Sequence, residues 1–149
     1  MPSSTQCAGK KRSVRRVVLD PGVLVSALIT PSGSPGRLLR EIRMGRLEPF
    51  VSARLLAELD EVLSRDKFRR YVNLDAARKY VGRIRSDATV VPDPEGLPPL
   101  RSKDPKDDYL IALAHSQNAI LVSGDKHLLD LAGRGAPVLA PGDLLAGDS

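Results

Sequence analysis

Short apolar runs alternate with helix-forming segments along the chain, and this alternation constrains the fold more than any other feature. The apolar runs predict strands at about 15–19, 48–51, 89–91, 119–122 and 137–139. The segments between these runs carry apolar residues at helical spacing. Strands that alternate with helices are typical of parallel sheets. We therefore expect an α/β fold, a three-layer α/β/α arrangement with a central parallel sheet.

Capping residues predict where two of the helices begin. Ser34 is the expected N-cap and Pro35 the first residue of a helix that Gly45 ends. Ser52 is the expected cap of the next helix, whose apolar residues form one stripe. Further helices are expected at about 22–30, 74–86, 104–117 and 126–132, with a surface loop at 92–103 and a final turn from Pro141.

The length of 149 residues suits a single domain. Residues 1–13 are polar and basic, so we expect a disordered tail there and one domain over 14–149. The tail lacks the apolar segment of a secretory signal, and no apolar run reaches the roughly 18 residues that a membrane span needs. The single cysteine, Cys7, excludes a disulfide within the chain, which fits a reducing compartment. We expect a cytoplasmic protein with no membrane partner.

The net charge of +5 comes from the basic residues that precede Val17. From Val17 onward the chain has 18 basic and 18 acidic residues. If several acids gather at one site, the remaining surface must be net positive. That distribution suits an anionic ligand held over a metal ion.

Four acidic residues are expected at the same edge of the sheet. Asp20 follows the apolar run Val17–Leu19, and Asp125 follows the run 119–122 after Ser123 and Gly124. Strands of a parallel sheet end, and the following helices begin, at one edge, where ligands bind. Clustered carboxylates repel one another unless a divalent cation holds them. The four candidates are Asp20, Glu58, Asp107 and Asp125.

Each candidate also has a purely structural interpretation. Asp20 could form a turn and Asp125 could cap a helix. Glu58 lies on the flank of its helix's apolar stripe, where exposed carboxylates are common. Ser123 could orient a carboxylate or a metal-bound water.

Three acids crowd the start of one expected helix. Asp104 fits the N-cap position, with Pro105 following it and Asp107 in the first turn. We favour Asp107 over Asp108 as the acid that faces the sheet edge, because apolar residues follow it at helical spacing. The spacing alone leaves the choice between these two open.

Arginines recur at every third position on one expected helix, and such a stripe can follow a phosphate backbone. Such a stripe is more often a solvated helix face, and with only 3% aromatic residues base stacking is not expected to dominate. The stripe consists of Arg37, Arg40, Arg43 and Arg46.

The chain resembles PIN domains, specifically the VapC-type ribonuclease toxins of bacterial type II toxin–antitoxin pairs. The resemblance extends over about residues 15–145. The segments that carry it are 17–27, 55–63, 104–114 and 121–129.

The resemblance implies a parallel sheet flanked by helices and a metal-dependent ribonuclease. It implies that the four candidate acids bind one or two Mg²⁺ or Mn²⁺ ions and cut RNA, with Asp20, Asp107 and Asp125 as ligands. It also implies a homodimer and a cognate antitoxin that covers the site.

The chain departs from the family pattern after the first acid, where Pro21-Gly22 replaces the common Thr-Asn. Glycine cannot supply the asparagine's hydrogen bond, so the alternative is an impaired PIN-like module that binds RNA or a protein without turnover. A phosphotransferase with Asp20 as nucleophile is disfavoured, since enzymes similar to haloacid dehalogenases have a second Asp where Gly22 stands.

Overall fold

The computed structural model describes residues 14–95 and 107–147. At its centre five parallel strands form one sheet in the order β3-β2-β1-β4-β5. The expected tail at 1–13 and residues 96–103 of the expected surface loop lie outside the described residues. The strands are β1 (Arg15–Leu19), β2 (Leu47–Val51), β3 (Thr89–Val90), β4 (Ile120–Val122) and β5 (Val138–Leu139).

Helices flank the sheet and complete the three layers, which confirms the predicted α/β/α architecture. Asp20, Ser52 and Asn73 begin three of them, because each side chain accepts a hydrogen bond from a first-turn amide. The helices are α1 (Pro21–Ile29), α2 (Ser34–Arg43), α3 (Ala53–Leu63), α4 (Leu74–Asp87), α5 (Asp108–Ser116), α6 (Lys126–Leu129) and α7 (Pro141–Gly147). Short 3₁₀ turns lie at Asp66–Phe68 and Asp130–Arg134.

One predicted helix cap is wrong by one residue. Gly33, instead of Ser34, is the N-cap of α2, because its carbonyl accepts the bond from the Arg37 amide. The α-helical part of α5 begins at Asp108, and Asp107 directly before it lies in a 3₁₀ turn with helical backbone angles. The expected start at Asp104 lies outside the described residues.

The C-terminal segments also differ from expectation. The predicted helix at 126–132 is a single α-helical turn, α6, that tightens into the 3₁₀ turn and ends at Gly135 with φ of 99°. Glycine adopts that left-handed conformation without strain. The predicted final turn at Pro141 is the short helix α7.

The order of the strands determines where a ligand can bind. The chain moves from β1 outward through β2 to β3, then crosses back to β4 and continues to β5. Val17 and Val18 of β1 are fully buried between their neighbours. The direction of winding therefore reverses between β1 and β4, and a crevice opens outside the carboxyl ends of strands at such a point. No helix in the described residues is long and apolar enough to cross a bilayer.

Candidate metal centre

A cleft of about 440 Å³ opens at the carboxyl end of the sheet, where β1 and β4 end. Residues from the beginnings of α1, α2, α5 and α7 and from the middle of α3 line it. All four candidate acids are among these lining residues: Asp20, Glu58, Asp107 and Asp125.

Asp20 is the most deeply buried of the four, with 7% of its surface exposed. Its Oδ1 accepts a 2.9 Å hydrogen bond from the Val23 amide and so caps α1. Burial raises the pKa of Asp20, the bonds from Ser123, Val23 and Gly22 oppose this rise, and the charge of Asp125 adds to it. No ion pair in the described part of the chain neutralises Asp20. A cation bound in the cleft would remove this electrostatic cost.

The buried Ser123 hydroxyl connects Asp20 with the backbone of Asp125. It donates a short hydrogen bond to Asp20 Oδ2 and accepts a 2.9 Å bond from the Asp125 amide. Asp125 Oδ1 in turn accepts a 2.8 Å bond from the His127 amide and caps α6. Asp125 thus serves as an N-cap, as the sequence allowed, and Asp20 also caps a helix, where a turn was the structural alternative. Both still line the cleft.

Glu58 faces the cleft from α3 and is half-buried. Its Oε1 accepts a 2.6 Å hydrogen bond from the hydroxyl of Tyr109 on α5. Burial raises the pKa of the Tyr109 phenol strongly, and the neighbouring Glu58 raises it further, so the phenol stays protonated and donates. The guanidinium of Arg54 lies 4.2 Å from the centroid of the Tyr109 ring.

The contacts of Tyr109 with Glu58 and with Arg54 are not predicted by the sequence. Tyr109 follows two acids in the motif around Asp107, but its partner lies 51 residues away on another helix. A local pattern carries no signal for such a contact.

The two neighbouring acids at the start of α5 differ in their surroundings. Asp107 is partly exposed and lines the cleft, whereas Asp108 is 6% exposed and lies within the helix's buried part. Almost every residue of α5 is buried, so the apolar spacing of this helix does not define one face. Asp104, the third acid of the motif, is outside the described residues.

The donor atoms of the cleft suit a hard divalent cation, because its polar side chains offer carboxylate and hydroxyl oxygens. Within residues 14–95 and 107–147, however, no three acidic, histidine or cysteine side chains converge tightly enough to form a ready-made site. Two of the four carboxylates are committed to capping bonds and one to Tyr109. The cleft thus gathers the right donors but holds them apart.

The arginine stripe is only partly on a helix. Arg37, Arg40 and Arg43 are exposed on α2, but Arg46 lies beyond the end of this helix and pairs with Glu41 at 2.9 Å. The expectation of four arginines on one helix is therefore wrong for Arg46, because Gly45 ends the helical turn with a positive φ.

Solved structures share this fold at low sequence identity. PAE2754 from Pyrobaculum aerophilum superposes with a TM-score of 0.59 and 19% identity, covering 89% of this chain and 88% of that one. VapBC2 from Rickettsia felis, solved bound to a promoter DNA fragment, superposes with a TM-score of 0.58 and 16% identity, covering 83% of this chain and 96% of that one. A PilT N-terminus domain protein, SSO1118 from Sulfolobus solfataricus, superposes with a TM-score of 0.50 and 16% identity, covering 89% of this chain and 92% of that one.

Sequence comparison gives the family. The uncharacterized protein MJ1680 of Methanocaldococcus jannaschii is 30% identical over 117 residues, which are 78% of this chain and 74% of that protein. The model of the PIN domain matches residues 16–127, from β1 to the first residues of α6. That range includes all four acids of the cleft. The chain belongs to the PIN domain family, whose members are generally nucleases that use divalent metal ions.

Proposed function

We propose that this protein is a metal-dependent ribonuclease that hydrolyses phosphodiester bonds in RNA. The observation that carries the proposal is the position of Asp20, Glu58, Asp107 and Asp125 around one cleft where the sheet reverses its winding. Four carboxylates at such a place repel one another and an anionic substrate. A divalent cation between them and a phosphate resolves both conflicts.

The proposed ligands of Mg²⁺ or Mn²⁺ are Asp20, Asp107 and Asp125, holding one or two ions. A bound ion would lower the pKa of a water molecule and neutralise charge on the scissile phosphate. All three proposed ligands line the same cleft. The Ser123 hydroxyl keeps the Asp20 carboxylate and the start of α6 in fixed relation.

Glu58 is the proposed general base or holder of a second ion. As a base it takes a proton from the attacking water, and the hydrogen bond from Tyr109 fixes its Oε1 while it does so. Glu58 lies on α3, while the proposed ligands follow β1 and β4 or precede α5. Because Glu58 lies on a different element from the proposed metal ligands, it could approach the scissile phosphate from a different direction than they do.

Cleavage of a mixed RNA pool by purified protein tests the proposal. We expect cutting with Mg²⁺ or Mn²⁺, none with EDTA, and none in Asp20→Asn or in the double variant Glu58→Gln/Asp125→Asn. The matched control is Glu61→Gln/Asp130→Asn, which removes two exposed carboxylates from α3 and from the residue after α6. Cutting that survives in Asp20→Asn would reject the assignment.

We propose that the protein is a toxin, that a cognate antitoxin binds it, and that it forms a homodimer. Support comes from the fold shared with VapBC2, a toxin–antitoxin complex by its name. Light scattering of the purified protein tests the dimer. Addition of a candidate antitoxin to the cleavage reaction tests the antitoxin, which should suppress RNA cleavage.

An impaired PIN-like module that binds RNA or protein without turnover is the second candidate. Glycine at position 22 favours it, because glycine has no side chain that could support the site by a hydrogen bond. The two candidates differ in Mn²⁺ binding, which calorimetry measures. Tight binding with cleavage supports the nuclease, and weak binding without cleavage supports the module.

A further inference from the structure

A second cleft, of about 610 Å³, lies between α2 and α4, and basic residues line it from both helices. Its walls carry Arg40 and Arg43 from α2 and Lys79 and Arg83 from α4, and no acidic residue lines it within the described chain. All four cationic side chains belong to exposed residues. Two of them, Lys79 and Arg83, lie about 40 residues from the arginines of α2, so local sequence spacing does not connect the two pairs.

Helices α2 and α4 each have a net positive charge, although the chain from Val17 onward is formally neutral. Helix α2 has three arginines against one glutamate, and α4 has four basic residues against two aspartates. From Val17 onward the chain has equal numbers of acids and bases. The positive charge is therefore concentrated on this side of the molecule, while carboxylates are concentrated in the candidate metal centre.

The intramolecular partners of these cations are weak. Lys79 pairs with Asp75 at 3.3 Å, but the two side chains are 78% and 80% exposed, so the pair adds little stability. Glu41, the acid of α2, pairs with Arg46. An anionic ligand could take up the cations of the cleft without breaking any buried interaction.

The walls of the cleft are held by a buried contact. The hydroxyl of Tyr80, on α4, donates a 2.6 Å hydrogen bond to the carbonyl of Leu24 on α1. Gly36 lies so close to the α1–α2 turn that a Cβ would come within 1.9 Å of the Pro31 carbonyl oxygen. These contacts fix α1, α2 and α4 around the cleft before any ligand arrives.

The cleft adjoins the candidate metal centre. Ser26 and Pro35 line the metal centre, and their neighbours Ala27 and Gly36 line the basic cleft. Helix α1 and the start of α2 therefore contribute residues to both clefts. A polyanion that has one phosphate at the carboxylates can continue over these residues and bring later phosphates to the cations.

We propose that the cleft between α2 and α4 binds the sugar–phosphate backbone of single-stranded RNA beyond the cleavage point. The inference rests on the proposed ribonuclease function. It assigns a binding site to the part of the RNA that lies outside the candidate metal centre. Contacts of this kind are independent of sequence, and each one contributes to the salt dependence of binding. Leu28 and Leu39, apolar residues of the lining, would pack against sugars and base faces.

Binding in EDTA tests the inference separately from cleavage. The probe is a labelled single-stranded RNA of about 20 nucleotides, followed by fluorescence anisotropy over a range of salt concentrations. The test variant is Lys79→Gln/Arg83→Gln. Its matched control is Arg78→Gln/Arg85→Gln, which removes the same charge from exposed positions on another side of the same helix. Thermal melts verify that both variants fold.

We expect the test variant to lose about 1.4 from the slope of log K against log salt, at about 0.7 per contact, and to bind at least about tenfold more weakly at 0.1 M salt. The control should keep most of the affinity and slope. Equal losses in both variants, or none in either, would overturn the proposal, and a protein partner would then be the better candidate for this cleft. Loss in the test variant alone supports the cleft even if the protein proves unable to cleave.

Discussion

The Ser123 hydroxyl donates a hydrogen bond to the Asp20 carboxylate and thereby joins residues 103 positions apart, at the ends of the two central strands. The same oxygen accepts from the Asp125 amide. A single buried hydroxyl therefore sets the distance between two of the proposed metal ligands. It acts at the point where the sheet reverses its winding.

Ser123→Ala should destabilise the fold by about 1–3 kcal/mol, because a buried carboxylate oxygen and a backbone amide each lose a partner. Urea denaturation measures the loss. Mn²⁺ affinity should fall as well, since the Asp20 carboxylate is no longer held. Ser64→Ala is the control, because that hydroxyl bonds a carbonyl at the exposed end of α3, and its effect should stay within about 0.5 kcal/mol. Equal losses in the two variants would contradict this role of Ser123.

Asp20→Asn should raise the melting temperature in EDTA, because the buried charge of Asp20 opposes folding. Burial, its main cause, raises the pKa of Asp20 above its ordinary value of 3.8, so the folded state binds this proton more tightly than the unfolded state does. The loss of folding stability caused by this charge is therefore absent below pH 3.8, grows as pH rises through the folded-state pKa, and is constant above that pKa. The difference in melting temperature between Asp20→Asn and wild type should change with pH in the same way.

Metal should reverse this order of stability. Mn²⁺ binds the folded wild type and should raise its melting temperature, while Asp20→Asn should respond weakly. Calorimetric scans with EDTA and with excess Mn²⁺ make the comparison. A variant that is less stable than wild type in EDTA at neutral pH would show that the carboxylate stabilises the metal-free fold.

Tyr109→Phe should lower the turnover of RNA about tenfold with little change in KM, because Glu58 loses the hydrogen bond that fixes its Oε1. The ring remains in place beneath Arg54, so the stability cost should be about 1 kcal/mol. Tyr71→Phe removes a hydroxyl from a residue that is 57% exposed and should change neither quantity. A fall in stability without a change in turnover would assign Tyr109 a structural role only.

Much of the architecture followed from periodicity, because a strand that must be buried on both faces is a continuous apolar run and parallel strands need crossover helices. The expected positions of Asp20 and Asp125 followed from the same rule. The bond from Tyr109 to Glu58 and the pairing of α2 with α4 around the basic cleft could not be predicted. They depend on how helices far apart in sequence pack, which local spacing does not encode.

The sequence did not predict a helix start correctly where two possible capping residues are adjacent. Ser34 and Gly33 can both begin a helix, and the turn bond from the Gly33 amide to the Thr30 carbonyl selects the glycine. Likewise, Asp107 and Asp108 are chemically equivalent in the sequence. Only the packing of α5 places one in the core and the other at the cleft.

Gly22→Ala should weaken Mn²⁺ binding while leaving the stability of the fold nearly unchanged. A Cβ at position 22 would lie 3.1 Å from Asp20 Oδ1, tighter than ordinary contact, so the carboxylate must shift. Alanine's better helix propensity, worth about 1 kcal/mol in a helix, offsets part of the strain. Gly82→Ala is the control, because nothing lies within 4 Å of a Cβ there, and it should add stability without affecting the metal. Isothermal titration with Mn²⁺ makes the comparison, and unchanged affinity in Gly22→Ala would show that the Asp20 carboxylate has room to move without cost.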